Sequence, residues 1–389
     1  MKAPAHRLGR FNPHYFADLG ERIARIRAQG GDVIRLDVGS PDLPPAPHIV
    51  DALARSAGKA DRHGYQPHQG TGELRQAWME MYRRVHRVAL DPESEVLPLL
   101  GSKEGIFHLA QALVDPGDVV LVPDPGYPMY TQAALFAGGQ PYRLPLLPER
   151  GYLPDLEAIP AEMLQKAKLL WLNYPNNPTG AVAPAEFFSA AVDFARRHYL
   201  LLCHDAAYAQ VSYDGYSPPS LLAIAGAGEV SVEFNTLSKS HNMAGWRVGA
   251  ALGNPEALRA LLAVKVNADS GHFLAVTEAA VSAMRGDQGW LLERNRVLQA
   301  RRDAVVNALH RMGLLAARPR ASLYVWCPVP FGWRATDFAG ALLEEAHLSL
   351  TPGTVFGAGG EGYVRLSLTA PLERLEQAMA RLAGWLAEH

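Results

Sequence analysis

Short apolar runs recur through the middle of this chain, at residues 119–122, 169–172, 200–203, 230–234 and 248–252. Each is near-continuously apolar over four or five residues. That is too short for a buried helix, and it lacks the polar alternation of a strand with one wet face. Strands of this kind are covered on both sides. Between and around them lie segments that read as helices, at 74–88, 103–113, 129–136 and 185–197. A chain built this way is constrained to a mostly parallel sheet with helices on both faces.

The texture changes after Trp290. Residues 291–312 form a charged amphipathic segment with arginines at 294, 296, 301 and 302, which reads as a helix bridging two domains. Residues 322–325 and 363–368 alternate like strands of a half-exposed antiparallel sheet, and 336–346 and 371–387 read as helices. A further strand is expected at 32–38, before the turn-rich stretch from Gly39 to Pro45. The expected division is an N-terminal arm with part of a small domain over 1–45, a large α/β domain over 46–290, and a small α+β domain over 291–389.

A formal net charge of -2 gives no field that would favour nucleic acid or an anionic membrane. Cys203 and Cys327 are too few for a disulfide framework and suit a reducing cytoplasm. No apolar stretch approaches the roughly 18 residues needed to span a bilayer, and Met1 to Arg7 lead into no apolar leader. A cytoplasmic location is therefore expected. The histidines are scattered. Pairs such as His63/His68 and His204/Asp205 lack metal-ligand spacing, so no metal is expected.

Parallel sheets bind ligands at the carboxyl ends of their strands, and the polar punctuation of this chain falls there. Lys239 follows the 230–234 run, packed between Ser238 and Ser240. Desolvation there would lower the amine's pKa and favour the neutral nucleophile, which can form a Schiff base with an aldehyde cofactor. The plainer alternative is a lysine in a polar loop. Arg247, eight residues on, could supply a fork for a phosphate. Gly101, Ser102 and Lys103 open a helix, either as a phosphate seat or as a simple cap. Tyr127 lies just past a strand end, where it could stack on a flat ring or only pack. Asn177 sits in a turn-dense loop and could fix a ring oxygen. Asp205 could pair with a protonated ring nitrogen or cap the next turn, and Tyr208 could bond the same ring. Arg365, inside an apolar alternating strand, suggests bidentate binding of a carboxylate, with a solvent-facing edge arginine as the alternative.

The ordered motifs GSKEG, PGYP, NYPNNPTG, DAAY, TLSKSHNMAGWRVG and GYVRLSL resemble those of the class I/II pyridoxal-phosphate aminotransferases of fold type I, from about residue 30 to the C-terminus. The resemblance implies a seven-stranded sheet and pyridoxal 5'-phosphate as cofactor. It implies Lys239 as the Schiff-base lysine and acid/base, and Asp205 as partner of the pyridinium nitrogen. Tyr208 and Asn177 would hold the ring O3′, and Tyr127 would stack on the ring. Ser102, the Lys103 backbone, Thr236, Ser238 and Arg247 would hold the phosphate. Arg365, with the backbone near Gly39, would take the substrate α-carboxylate. Tyr65 resembles the tyrosine that reaches a neighbouring subunit's phosphate, which makes the active unit a homodimer. Thr236 departs from the family's usual Ser or Gly but keeps a hydroxyl. Val266 falls where classical aspartate enzymes carry an arginine for the distal carboxylate.

The block from Pro125 to Gly253 looks most like the bacterial LL-diaminopimelate aminotransferase subgroup, and Tyr15 like its substrate-covering tyrosine. That implies transfer between LL-diaminopimelate and 2-oxoglutarate in lysine biosynthesis, with Asn267 and Asp269 as candidates for the substrate's distal end. The alternatives are an aspartate, alanine or aromatic aminotransferase, a C–S lyase using the same cofactor, and a transcription regulator on a degenerate aminotransferase domain. The regulator would need a helix-turn-helix extension, for which no room is read before the first strand, and it would lack Lys239.

Overall fold

The computed structural model describes residues 8–9 and 14–389. Residues 1–7, read above as free of an apolar leader, and 10–13 of the expected arm lie outside the described residues. Twelve strands follow in chain order: β1 (Ile34–Arg35), β2 (Val96–Leu99), β3 (Val119–Asp124), β4 (Gln140–Pro145), β5 (Ala167–Asn173), β6 (Leu201–Asp205), β7 (Ser231–Thr236), β8 (Gly249–Gly253), β9 (Tyr324–Pro328), β10 (Leu348–Ser349), β11 (Thr351–Pro352) and β12 (Tyr363–Ser367).

One sheet has seven strands in the order β2-β8-β7-β6-β5-β3-β4. β8 runs antiparallel to both β2 and β7; β3, β4, β5, β6 and β7 pair in parallel. This is the α/β architecture expected from the apolar runs. The reason is visible in the packing. Val120, Val122, Leu169, Trp171, Val232 and Phe234 face Ile106, Leu109 and Tyr130 on one side. Val119, Leu121, Leu170, Leu172 and Leu202 face Phe188, Ala191 and Val192 on the other. Alternate residues of one strand therefore enter different cores, and burial of each such side chain contributes about 1.5–3 kcal/mol. Cys203 lies in the first core, fully buried, as its run suggested.

The edge strands β2 and β4 have no counterpart among the expected apolar runs. Each contains proline, Pro98 in β2 and Pro141 in β4, which interrupts an apolar pattern and is tolerated at sheet edges. The expected strand at 32–38 pairs with β10 only over Ile34 and Arg35. Leu36 continues by single bonds, donating to Ser349 and accepting from Ser367.

A second sheet, β11-β12-β9, is antiparallel as expected. It shares a core with Ile34, Leu36, Val305, Val306, Leu309, Leu375 and Trp385. The helix Gly289–Arg311 ties this core to the large sheet. Its Arg294 donates to the carbonyls of Lys239, Ser240 and Gln210, while Arg301 grips Asp42 and Arg302 grips Asp214.

Candidate active site

The carboxyl ends of β5, β6 and β7 open into a cavity of about 580 Å³, roofed by β1, β9 and β12. Lys239 enters from the short helix Leu237–Ser240, which starts where β7 ends. Thr236 caps that turn, its Oγ1 accepting from Ser238 N at 3.1 Å and lying 2.9 Å from the Val248 carbonyl. The hydroxyl is thus committed within the turn. Lys239 Nζ donates to the Gly39 carbonyl at 2.5 Å. Burial pushes its pKa down, with Arg365 and Arg247 adding to the fall and Tyr324 opposing it.

Asp205 ends β6 and is 5% exposed. Its Oδ2 accepts from the Tyr130 hydroxyl at 2.8 Å, and its Oδ1 accepts from Ala207 N at 3.2 Å. It therefore caps a turn and presents a carboxylate edge to the cavity at the same time. Burial raises its pKa against the Tyr130 bond, so a cationic partner would gain strongly by arriving. Tyr130 is held in turn by stacking on Trp171 at 4.9 Å.

Gly101 has φ 83° and precedes the helix Ser102–Leu113, whose first two residues, Ser102 and Lys103, line the cavity. A Cβ at Gly101 would stand 2.3 Å from Arg247 Nη2. Only glycine lets the guanidinium lie against this turn. Arg247 Nη1 donates to Ala244 O at 2.7 Å and to Ser238 Oγ at 3.4 Å. Ser102, Ser238 and Arg247 so surround one positive recess, with Lys103 at its edge. An anion such as a phosphate suits it.

Arg365 is buried at 5% exposure, which removes the solvent-facing alternative. Its Nη1 donates to Asn177 Oδ1 at 2.9 Å and its Nη2 to Asp37 O at 2.8 Å. The guanidinium lies 4.0 Å over the Tyr324 ring and 4.7 Å from that of Phe356. Its Nε has no partner among the described residues. The Tyr208 and Tyr324 hydroxyls meet at 3.0 Å. Burial would raise the Tyr324 pKa, but Arg365 and Lys239 outweigh it and the pKa is lowered. Tyr127 and Gly39 also line the cavity.

Tyr324, Tyr130, Phe356, Arg35 and Asp37 were not picked out from the sequence. Arg35 and Asp37 carried a usable signal, charges set in an apolar strand like that of Arg365. Tyr324 carried none beyond strand alternation.

Other expected residues lie elsewhere. Tyr65 is 95% exposed and outside this cavity. Asn267 is exposed and bonds its own helix through Ala263 O. Asp269 holds Lys265 Nζ at 2.5 Å. Tyr15 donates to Leu350 O and lines an adjoining groove, while its neighbour Phe16 lines the main cavity. Glu104, His108 and Asp269 offer ligand atoms within 4.8 Å of one another, but Lys265 Nζ lies 2.9 Å from Glu104 and 2.5 Å from Asp269 and supplies the cation to both carboxylates. No helix among the described residues is long and apolar enough to cross a membrane.

The family described as aminotransferase class I and II matches residues 31–382. An LL-diaminopimelate aminotransferase of Desulforudis audaxviator is 49% identical over 382 residues, 98% of this chain and 97% of that one. One from Moorella thermoacetica is 47% identical over 378 residues, 97% of each chain. The solved substrate-bound BacF of Bacillus subtilis superposes with a TM-score of 0.96 at 36% identity, covering 99% of this chain and 98% of that one.

Proposed function

The chain belongs to the class I and II aminotransferases, enzymes that move an amino group between an amino acid and a 2-oxo acid, and from that premise we propose LL-diaminopimelate as its amino donor, 2-oxoglutarate as its acceptor and pyridoxal 5'-phosphate as its cofactor. The observation that carries the donor is identity near one half, along almost the whole length, to enzymes named for it. The reaction would yield tetrahydrodipicolinate and serve lysine biosynthesis.

The residues present fit the cofactor. The glycine-lined recess beside Arg247 would be filled by a Cβ at Gly101 and suits its phosphate, through Ser102, the Lys103 backbone and Ser238. Thr236 would act there by capping the turn that presents Ser238. Asp205 suits a protonated ring nitrogen, Tyr208 and Asn177 the ring oxygen, and Tyr127 the ring face. Bound in this way, the cofactor supplies an electron sink for the donor's Cα–H bond cleavage. Lys239 is its attachment point. Its amine, whose pKa burial lowers, would take the Cα proton and return one to the other side of the transfer. Arg365, with the Gly39 backbone, would hold the α-carboxylate of the donor in the cavity that Lys239 enters. Tyr324 orients both partners, by its bond to Tyr208 and by its ring beneath Arg365.

We further propose a cytoplasmic homodimer in which Tyr65, outside its own chain's cavity, reaches the second copy's phosphate and Asn267, likewise outside it, the second copy's substrate, with Tyr15 near the substrate of its own chain. The proposed division is 1–45, 46–290 and 291–389. Sedimentation of the dilute holoprotein as a monomer would count against the dimer.

The test of the donor is direct. Cofactor-loaded enzyme given LL-diaminopimelate and 2-oxoglutarate is expected to form glutamate. Turnover of aspartate, alanine or an aromatic amino acid, with none of diaminopimelate, would replace this reading by the corresponding aminotransferase. Pyruvate and ammonia released without an acceptor would indicate a lyase.

A further inference from the structure

Two guanidinium groups line the cavity from the side of β1 and β12, and the scheme above uses only one of them. The second belongs to Arg35, which shares the cavity wall with Phe16, Asp37 and Gly39. Its side chain is 39% exposed, whereas that of Asp37 is 1% exposed. Arg35 Nε donates to Asp37 Oδ1 at 3.1 Å and its Nη2 to Oδ2 at 2.6 Å. That fork fixes the plane of the guanidinium and leaves its outer edge, Nη1 included, without a protein partner among the described residues. The same Asp37 receives Arg365 Nη2 on its main-chain oxygen at 2.8 Å. A single residue thus sets the spacing between the buried arginine and the half-exposed one.

We propose that Arg35 is a specificity residue that binds the distal carboxylate of the substrates. The inference rests on transamination of dicarboxylic substrates by this site. LL-diaminopimelate and 2-oxoglutarate differ in length and in the distal amine, but both end in a carboxylate. One preoriented fork on a flexible stem can receive either. Pairing with Asp37 keeps the group cationic, and its half-exposed side chain forms part of the cavity wall. The rival role for Arg35 is to neutralise the buried Asp37 carboxylate and nothing else.

Glutarate and butyrate separate the two roles, because they differ only in the distal carboxylate. In the wild-type holoenzyme, glutarate is expected to inhibit at least about tenfold more tightly than butyrate, a difference of about 1.4 kcal/mol. In Arg35→Gln that preference is expected to collapse toward unity. Arg35→Lys, which keeps the charge and loses the fork, is expected to keep part of it, and it serves as the test if the glutamine variant does not fold. Equal inhibition by the two acids in wild type would overturn the proposal. So would a preference that survives in Arg35→Gln, or equal weakening of both acids there. The measurement needs no particular donor. An enzyme that ignores LL-diaminopimelate but shows the Arg35-dependent preference would lose the proposed donor and keep Arg35. An enzyme that uses LL-diaminopimelate with no such preference would do the opposite.

Discussion

Lys239 and Asp205 occupy the same cavity but should fail differently when changed. Lys239→Ala is expected to remove nearly all turnover and covalent retention of the cofactor. Borohydride reduction and peptide mapping would check this, with the label on the peptide containing Lys239 in wild type and absent from the variant. Asp205→Asn is expected to keep the cofactor bound but lower kcat on the order of 100-fold or more, because an amide no longer stabilises a protonated ring nitrogen. Near-normal turnover in Asp205→Asn would remove that role. Both residues were legible in the sequence because each comes soon after an apolar strand, at the end of the sheet where such folds bind ligands. Tyr324 and Arg35 were not singled out. Arg35 carried a local signal, a charge two residues from Asp37 in an apolar strand. Tyr324 acquires its place only by meeting Tyr208 across 116 residues of chain, and no local pattern encodes such a meeting.

Among the elements, the reversed strand β8 sets a close tolerance against main-chain atoms in the site. A Cβ at Gly249 would stand 2.8 Å from both Asn235 O and Ser102 N. These are main-chain atoms of β7 and of the first turn of the Ser102–Leu113 helix, so neither can swing aside. Gly249→Ala is expected to cost about 1–3 kcal/mol and to weaken phosphate retention by displacing that turn. Thermal unfolding with and without cofactor would check it. An unchanged difference between the two unfolding temperatures would rule out the displacement. The central strands were readable because burial on both faces forces an unbroken apolar run. The proline-bearing edges were not: β4 is largely uncovered and so needs few apolar residues, and in β2, buried throughout, Pro98 breaks the apolar run.

For the molecule as a whole, acid stability should depend on His241. This ring is fully buried against Trp290 and near Arg294. Burial, then the Arg294 charge, lowers its pKa from 6.5 to about 3. Between those values the unfolded chain holds a proton that the folded chain refuses. Stability from this group is therefore complete above about pH 6.5 and is lost as pH falls toward 3. In His241→Gln the unfolding temperature should fall less steeply between pH 6.5 and 4 than in wild type. Parallel curves for the two proteins would disprove the assignment.

The helix Gly289–Arg311 has 23 residues and, at 1.5 Å per residue, is about 34 Å long. Near one end Arg294 clamps the peptide carbonyl of Lys239, and near the other Val305, Val306 and Leu309 are embedded in the C-terminal core. It works as a girder. Any slack introduced in that remote packing is relayed along a stiff rod to the reactive amine, so damage far from the chemistry would register as a misaimed nucleophile before the chain came apart.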